Sequence, residues 1–146
     1  MFVFQVLVET LLRSRANTEE GLSLATDLCQ TFDVFHPDVW SQILRKLTSL
    51  RLWTQLESTL GVLDGRPEFW STQGYLEAWS CLVERPFKAA SKPLTPDQRR
   101  DCVGALERCL LRCPVPQNLN VVPKIKLYCE GLEISDLCCD QLALLV

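Results

Sequence analysis

The chain has 146 residues, a length that suits a single domain or one segment of a larger one. Hydrophobic residues make up 47% and charged residues 23%, a mixture that argues against an intrinsically disordered chain. The formal net charge is −3 and the Lys and Arg residues are scattered, so the chain has no basic field for binding nucleic-acid phosphates.

The amino terminus is apolar but has the features of neither a signal peptide nor a membrane span. Residues 1–8 lack a basic n-region and a small-residue cleavage site. Glu9 interrupts the run well before the roughly 20 apolar residues that a span needs. We expect a buried first helix, no targeting segment and no membrane span.

Apolar residues recur at helical spacing in the first two segments. Asn17 is predicted to cap the second helix, with Glu20 three residues on in the capping-box arrangement. The predicted buried stripes are Phe4, Leu7, Val8, Leu11 and Leu12 in the first helix, and Leu22, Leu24, Ala25, Leu28, Cys29 and Phe32 in the second.

Pro37 is well placed as the first residue of a third helix, with His36 as its cap. Its predicted buried stripe is Val39, Trp40, Ile43, Leu44 and Leu47. A fourth helix from Leu52 is predicted to end at Asp64-Gly65, where glycine suits a left-handed conformation. A fifth is predicted to begin at Arg66-Pro67-Glu68 and to end at Arg85-Pro86.

The stretch 86–94 is predicted to be a loop that separates an N-terminal helical part, 1–85, from a C-terminal helical part, 95–146. Phe87 is a large apolar residue, so we expect it to be buried despite this loop. Thr95-Pro96-Asp97-Gln98 predicts a capped helix start, and Pro114 closes that helix. Two short helices, Lys124–Cys129 and Ser135–Leu145, are predicted to follow on either side of Gly131.

The predicted fold class is all-α, because no turn dipeptide lies between two alternating strand-like segments. About seven helices joined by short turns would form antiparallel pairs. Such pairs build either a segment of an α-solenoid or a compact helical bundle. Both ends are apolar, including Leu142–Val146, so we expect the isolated chain to self-associate or to need an adjoining helical partner.

Eight cysteines are many for this length, yet no Cys-x-x-Cys pair occurs, and zinc sites need paired ligands at short spacing. We interpret most of the thiols as reduced core residues in an intracellular compartment. They are Cys29, Cys81, Cys102, Cys109, Cys113, Cys129, Cys138 and Cys139. No metal and no cofactor is predicted.

The chain contains no phosphate-binding glycine loop and no nucleophile motif, and its only histidine is His36. We therefore predict no catalytic residue and no enzymatic role. The four tryptophans Trp40, Trp53, Trp70 and Trp79 could form a cation–π cage or a binding hot spot. Core packing is the better interpretation for at least three of them, and Trp70, near a helix start, fits it less well.

A specific order of landmarks begins at Trp70. It runs through Ala78-Trp79, Arg85-Pro86-Phe87, Ala90-Ser91, Pro93-Leu94, Leu110-Leu111-Arg112-Cys113-Pro114-Val115 and Asn118-Leu119. This pattern resembles the C-terminal region of the Rod (rough deal) family. Rod proteins are the large subunit of the Rod–Zwilch–Zeste-white complex. The pattern consists of structural residues, so no individual residue is assigned a partner-binding role.

The resemblance implies a late segment of a long α-solenoid that belongs to a non-catalytic scaffold. It further implies contact with the Zeste-white and Zwilch subunits, indirect recruitment of dynein, and a role in kinetochore corona assembly and the spindle checkpoint. The implied location is cytoplasm or nucleus, and the kinetochore in mitosis. A free-standing helical adaptor and a domain of a vesicle-tethering subunit remain the alternatives, and both would also act by protein–protein contact.

Overall fold

A computed structural model describes residues 2–15, 18–119 and 122–132. Seven α-helices occur in these ranges and no strand does, which confirms the all-α prediction. The helices are α1 (Phe2–Arg15), α2 (Glu19–Thr31), α3 (Pro37–Ser49), α4 (Trp53–Leu63), α5 (Gln73–Ala89), α6 (Pro96–Arg112) and α7 (Val122–Leu132), with 3₁₀ turns at Pro67–Phe69 and Pro116–Asn118. The predicted helix Ser135–Leu145 and the apolar end Leu142–Val146 lie outside the described residues.

The chain divides into two compact units, Met1–Ala78 and Trp79–Val146, and the division falls within α5. The separation of 1–85 from 95–146 by a loop at 86–94 stays a prediction. The predicted end of the preceding helix at Arg85-Pro86 is wrong, because α5 continues through Pro86 to Ala89. Proline removes only one N–H donor in this last turn, and the Ala90 N–H still donates to the Pro86 carbonyl at 3.1 Å.

Of three predicted helix caps, one is present as predicted, one lies on the neighbouring residue and one makes no capping hydrogen bond. Thr95 forms the full capping box with Gln98, as predicted. The cap of α2 is Thr18 and not Asn17; its side chain accepts a hydrogen bond from the Gly21 N–H at 3.0 Å. His36 occupies the cap position of α3, but its side chain makes no capping hydrogen bond.

The left-handed residues at helix ends are not the predicted glycine. No glycine of the described ranges has a positive φ, so Gly65 does not take the predicted left-handed conformation. Asp33 and Arg51, with φ of 55° and 59°, take it after α2 and α3. At the end of α3 the Leu52 N–H donates to the Leu47 carbonyl, which is the hydrogen bond of a Schellman motif.

The segment after Gly65 also differs from the single helix predicted there. Pro67–Phe69 forms a separate 3₁₀ turn, and α5 begins only at Gln73. The Thr72 hydroxyl donates to the Phe69 carbonyl at 2.7 Å, a local bond that competes with continued helix. The predicted break at Gly131 is likewise absent, since α7 runs to Leu132.

Helix α3 is central to the first unit. It packs against α1, α2, α4 and the turn Pro67–Phe69. Its predicted apolar stripe is confirmed, because all five residues are at most 2% exposed: Val39, Trp40, Ile43, Leu44 and Leu47. The first unit is therefore built around one fully buried helix face.

At Gly74, α5 lies close to α3. Its N–H donates to Ser41 Oγ at 3.0 Å. A Cβ added at Gly74 would lie 2.6 Å from that Oγ and 2.9 Å from the Ser41 carbonyl carbon, distances that real Cβ atoms essentially never show. Only glycine fits between these helices without a backbone shift.

We expect Gly74→Ala to lower the free energy of unfolding by about 1–3 kcal/mol, because the methyl group must push α5 away from α3. The matched control is Gly104→Ala in α6, where an added Cβ meets nothing within 4 Å. Alanine there should raise the free energy of unfolding by about 0.5–1 kcal/mol through helix propensity. Urea denaturation followed by circular dichroism measures both; a stabilising Gly74→Ala would contradict the close approach.

Candidate protein-interaction surface

The described thiols are mostly buried. Within those ranges no group of three or more His, Cys, Asp or Glu residues could hold a metal ion. Five of the described thiols are buried (Cys29, Cys102, Cys109, Cys113 and Cys129), and Cys81 is partly exposed. Cys138 and Cys139 lie outside the description.

Burial raises the pKa of the Cys29 thiol to about 12. A hydrogen bond with Cys113, together with burial, raises the pKa of Cys109. Both groups are therefore protonated at neutral pH, and a thiol in that state is a poor nucleophile and a poor metal ligand.

No helix in the described parts of the chain is long and apolar enough to cross a membrane.

The tryptophans divide into two buried and two half-buried residues, so core packing holds for fewer than predicted. Trp40 and Trp79 are 0% and 3% exposed, whereas Trp53 and Trp70 are intermediate. Arg112 lies 5.6 Å from the Trp79 ring centroid, within the range of a cation–π contact. Trp40 packs among phenylalanine rings, so it is a core residue and not part of an open cage.

Helix α1 is buried on one face only, which corrects the prediction of a buried first helix. Val8 and Leu12 face the core and are 0% and 5% exposed. On the opposite face Val3, Val6 and Leu7 are 74%, 40% and 50% exposed, although Leu7 was predicted to be buried. We call these three residues the α1 outer face. The sequence carried a signal for it, since apolar residues occur on more positions of α1 than a single stripe needs.

The α1 outer face can be covered by another protein at little polar cost. The next residue along it, Thr10, donates its hydroxyl to the Val6 carbonyl at 2.8 Å, so this donor is already satisfied. The Ser14 hydroxyl likewise donates to the Thr10 carbonyl at 3.0 Å. Three clustered aliphatic side chains bordered by satisfied hydroxyls are suited to packing against a second helix.

We expect the pure chain to self-associate through the α1 outer face, and Val3→Ser with Leu7→Ser to suppress this association. The side chains are exposed, so the double variant should keep the helical circular dichroism spectrum of the parent. Sedimentation velocity over a wide concentration range measures the effect. Leu111→Ser is the control, because Leu111 is 86% exposed on α6. A parent that stays monomeric throughout would contradict the expectation.

A second surface feature is an open cleft of about 250 Å³ between α2 and α4. Thr26, Asp27 and Gln30 line it from α2, and Gln55 and Thr59 from α4. Leu47 of α3 adds an apolar side chain. Sequence reasoning did not find this cleft, because its two sides are separated along the chain and carry only common polar residues on exposed helix faces.

Known proteins resemble this chain over most of its length. The family described as "Rough deal protein C-terminal region" matches residues 5–142. The human protein named Kinetochore-associated protein 1 is 25% identical over 124 residues, and the mouse protein of the same name is 24% identical over 124 residues. Each match covers 85% of this chain and 6% of the relative, so the chain spans a small part of the length of these relatives. No solved structure matches the chain significantly.

Proposed function

The chain belongs to the Rough deal protein C-terminal region family, and from this membership we propose that it is a segment of a kinetochore-associated scaffold. The observation that carries the proposal is the family match over nearly the whole chain, residues 5–142. The kinetochore enters the proposal from the name of the human and mouse relatives. The helical fold is compatible with a solenoid segment.

The scaffold acts by contact and not by chemistry of its own. Solenoid segments bury their apolar faces against neighbouring helices, and the α1 outer face has the composition for such a contact. The relatives are far longer than the matched region, so an adjoining helical segment of the same scaffold is the occupant that we propose for this face. The self-association that we expect of the isolated chain would then reflect the absence of that segment.

The finer roles follow from the family resemblance. The scaffold contacts the Zeste-white and Zwilch subunits, contributes to the kinetochore corona, recruits dynein indirectly and supports the spindle checkpoint. It resides in the cytoplasm or nucleus and enriches at kinetochores in mitosis. Support for these roles is the order of structural landmarks from Trp70 to Asn118-Leu119 together with the family match.

Imaging tests this proposal. The protein that carries this chain, tagged at full length, should enrich at unattached kinetochores in cells arrested in mitosis. Val3→Ser with Leu7→Ser should weaken this enrichment, because it removes apolar side chains from the proposed contact with the adjoining segment. Leu111→Ser should leave the enrichment unchanged. A product that stays diffuse in arrested cells would instead support the free-standing adaptor.

A further inference from the structure

We propose that the cleft between α2 and α4 binds an arginine side chain of a partner protein. The proposal deepens the proposed scaffold function, on which it rests, by giving the chemistry of one partner contact. The cleft lies wholly within the first compact unit and is bordered by helix faces that the scaffold contact at α1 does not use.

The lining of the cleft offers hydrogen-bond acceptors and a negative charge. Asp27 supplies a carboxylate, which makes no ion pair within the described residues. No Lys or Arg lines the cleft. Both threonine hydroxyls already donate their hydrogen to a backbone carbonyl. Thr26 donates to the Leu22 carbonyl at 2.9 Å, and Thr59 donates to the Gln55 carbonyl at 2.8 Å. Their oxygens therefore face a ligand as acceptors.

Gln55 adds the most specific group. Its Nε2 donates to Glu19 Oε1 at 2.8 Å, which orients the amide. Its Oε1 is buried and has no hydrogen-bond partner among the described residues. A buried acceptor without a donor costs free energy, so a donor that a ligand brings to this oxygen, once the side chain turns toward the cleft, would recover that cost. Acceptors thus stand on both sides of the cleft, Asp27 on α2 and Gln55 on α4.

These features select arginine among ligand groups. A volume of about 250 Å³ is below the roughly 300–1,000 Å³ of sites for small-molecule ligands, and it suits one long side chain. A guanidinium carries five N–H donors in a plane, so it can reach acceptors on both sides at once, which a compact ammonium does less well. Leu22, Leu47 and Val62 provide apolar contact for the methylene stem.

The test is nuclear magnetic resonance titration of the full ¹⁵N-labelled chain with the blocked tripeptide acetyl-Gly-Arg-Gly-amide. Amide shifts should cluster at Thr26, Asp27, Gln55 and Thr59. The same peptide with citrulline, which is neutral and similar in shape, should produce no such cluster. Asp27→Asn should weaken binding about tenfold or more, while Asp101→Asn, an exposed aspartate change on α6, should leave it unchanged.

Three outcomes would overturn the proposal. One is the absence of shifts in the cleft, and another is equal binding of the citrulline peptide. The third is tighter binding of the corresponding lysine peptide, which would assign the cleft to an ammonium. None of these depends on kinetochore enrichment, so a failed titration with normal imaging rejects the cleft assignment alone, and a successful titration with a diffuse product rejects the kinetochore role alone.

Discussion

Replacing Trp40 with alanine is expected to lower the free energy of unfolding by about 3–5 kcal/mol, the usual cost of deleting a large buried aromatic side chain. Trp40 is 0% exposed and lies on α3, the helix around which the first unit is built. Its ring stacks on Phe35 at 5.4 Å between centroids and meets Phe69 edge-on at 6.5 Å. Since whole domains are stable by only about 5–15 kcal/mol, this loss threatens the unit as such.

Trp40 also makes a hydrogen bond, which adds to its packing. Trp40 Nε1 donates to the Val34 carbonyl at 2.8 Å and so joins α3 to the turn after α2. Trp40→Phe keeps an aromatic ring but leaves that carbonyl without its donor, at a cost of about 1–3 kcal/mol. Trp53→Ala, at a half-buried residue, should cost less than Trp40→Ala.

Urea denaturation followed by far-ultraviolet circular dichroism compares the three variants without relying on tryptophan emission. A Trp40→Ala protein as stable as Trp53→Ala would contradict the central place of Trp40. A Trp40→Phe protein as unstable as Trp40→Ala would show that a phenyl ring replaces none of the packing of the indole.

The sequence predicted the helices well where one apolar stripe coincided with a strong helix-start signal. Helix α3 is the clearest case: Pro37 begins it, and its five predicted core residues are all buried. The start of α6 was equally readable, because Thr95, Pro96 and Gln98 form a signature set by local hydrogen bonds alone. Both signals depend on residues within one or two turns of each other.

Predictions failed where tertiary contacts overrode a local rule. Proline at 86 was expected to end a helix, but α5 continues for three more residues, within which Phe87 is buried. Glycine at 65 was expected to be left-handed, yet Asp33 and Arg51 take that conformation at other helix ends. The α2–α4 cleft escaped prediction for a related reason: it exists only because residues near 27 and 55 are brought together by packing on α3.

The burial of Phe87 leads to the second large expected effect. Phe87 is 1% exposed and its ring stacks on Tyr128 of α7 at 6.1 Å between centroids. The Tyr128 hydroxyl donates to Glu84 Oε1 at 3.0 Å, and Glu84 is only 8% exposed. Phe87 therefore helps to hold α5 against α7 beside a carboxylate that water reaches poorly, and Lys88 Nζ, at 3.6 Å, is that carboxylate's counter-ion.

Phe87→Ala should accordingly lower the free energy of unfolding by about 3–5 kcal/mol, because it removes a ring from the core of the second unit. It also removes the ring contact with Tyr128, whose hydroxyl makes the hydrogen bond to Glu84. Leu111→Ala, at an 86% exposed position of α6, should change the free energy of unfolding by less than about 0.5 kcal/mol. Urea denaturation and limited proteolysis between Ala89 and Thr95 measure the loss and locate it. If Phe87→Ala unfolds like Leu111→Ala, the last turn of α5 contributes nothing to the core, and the segment from Pro86 onward behaves as the plain loop that its prolines first suggest.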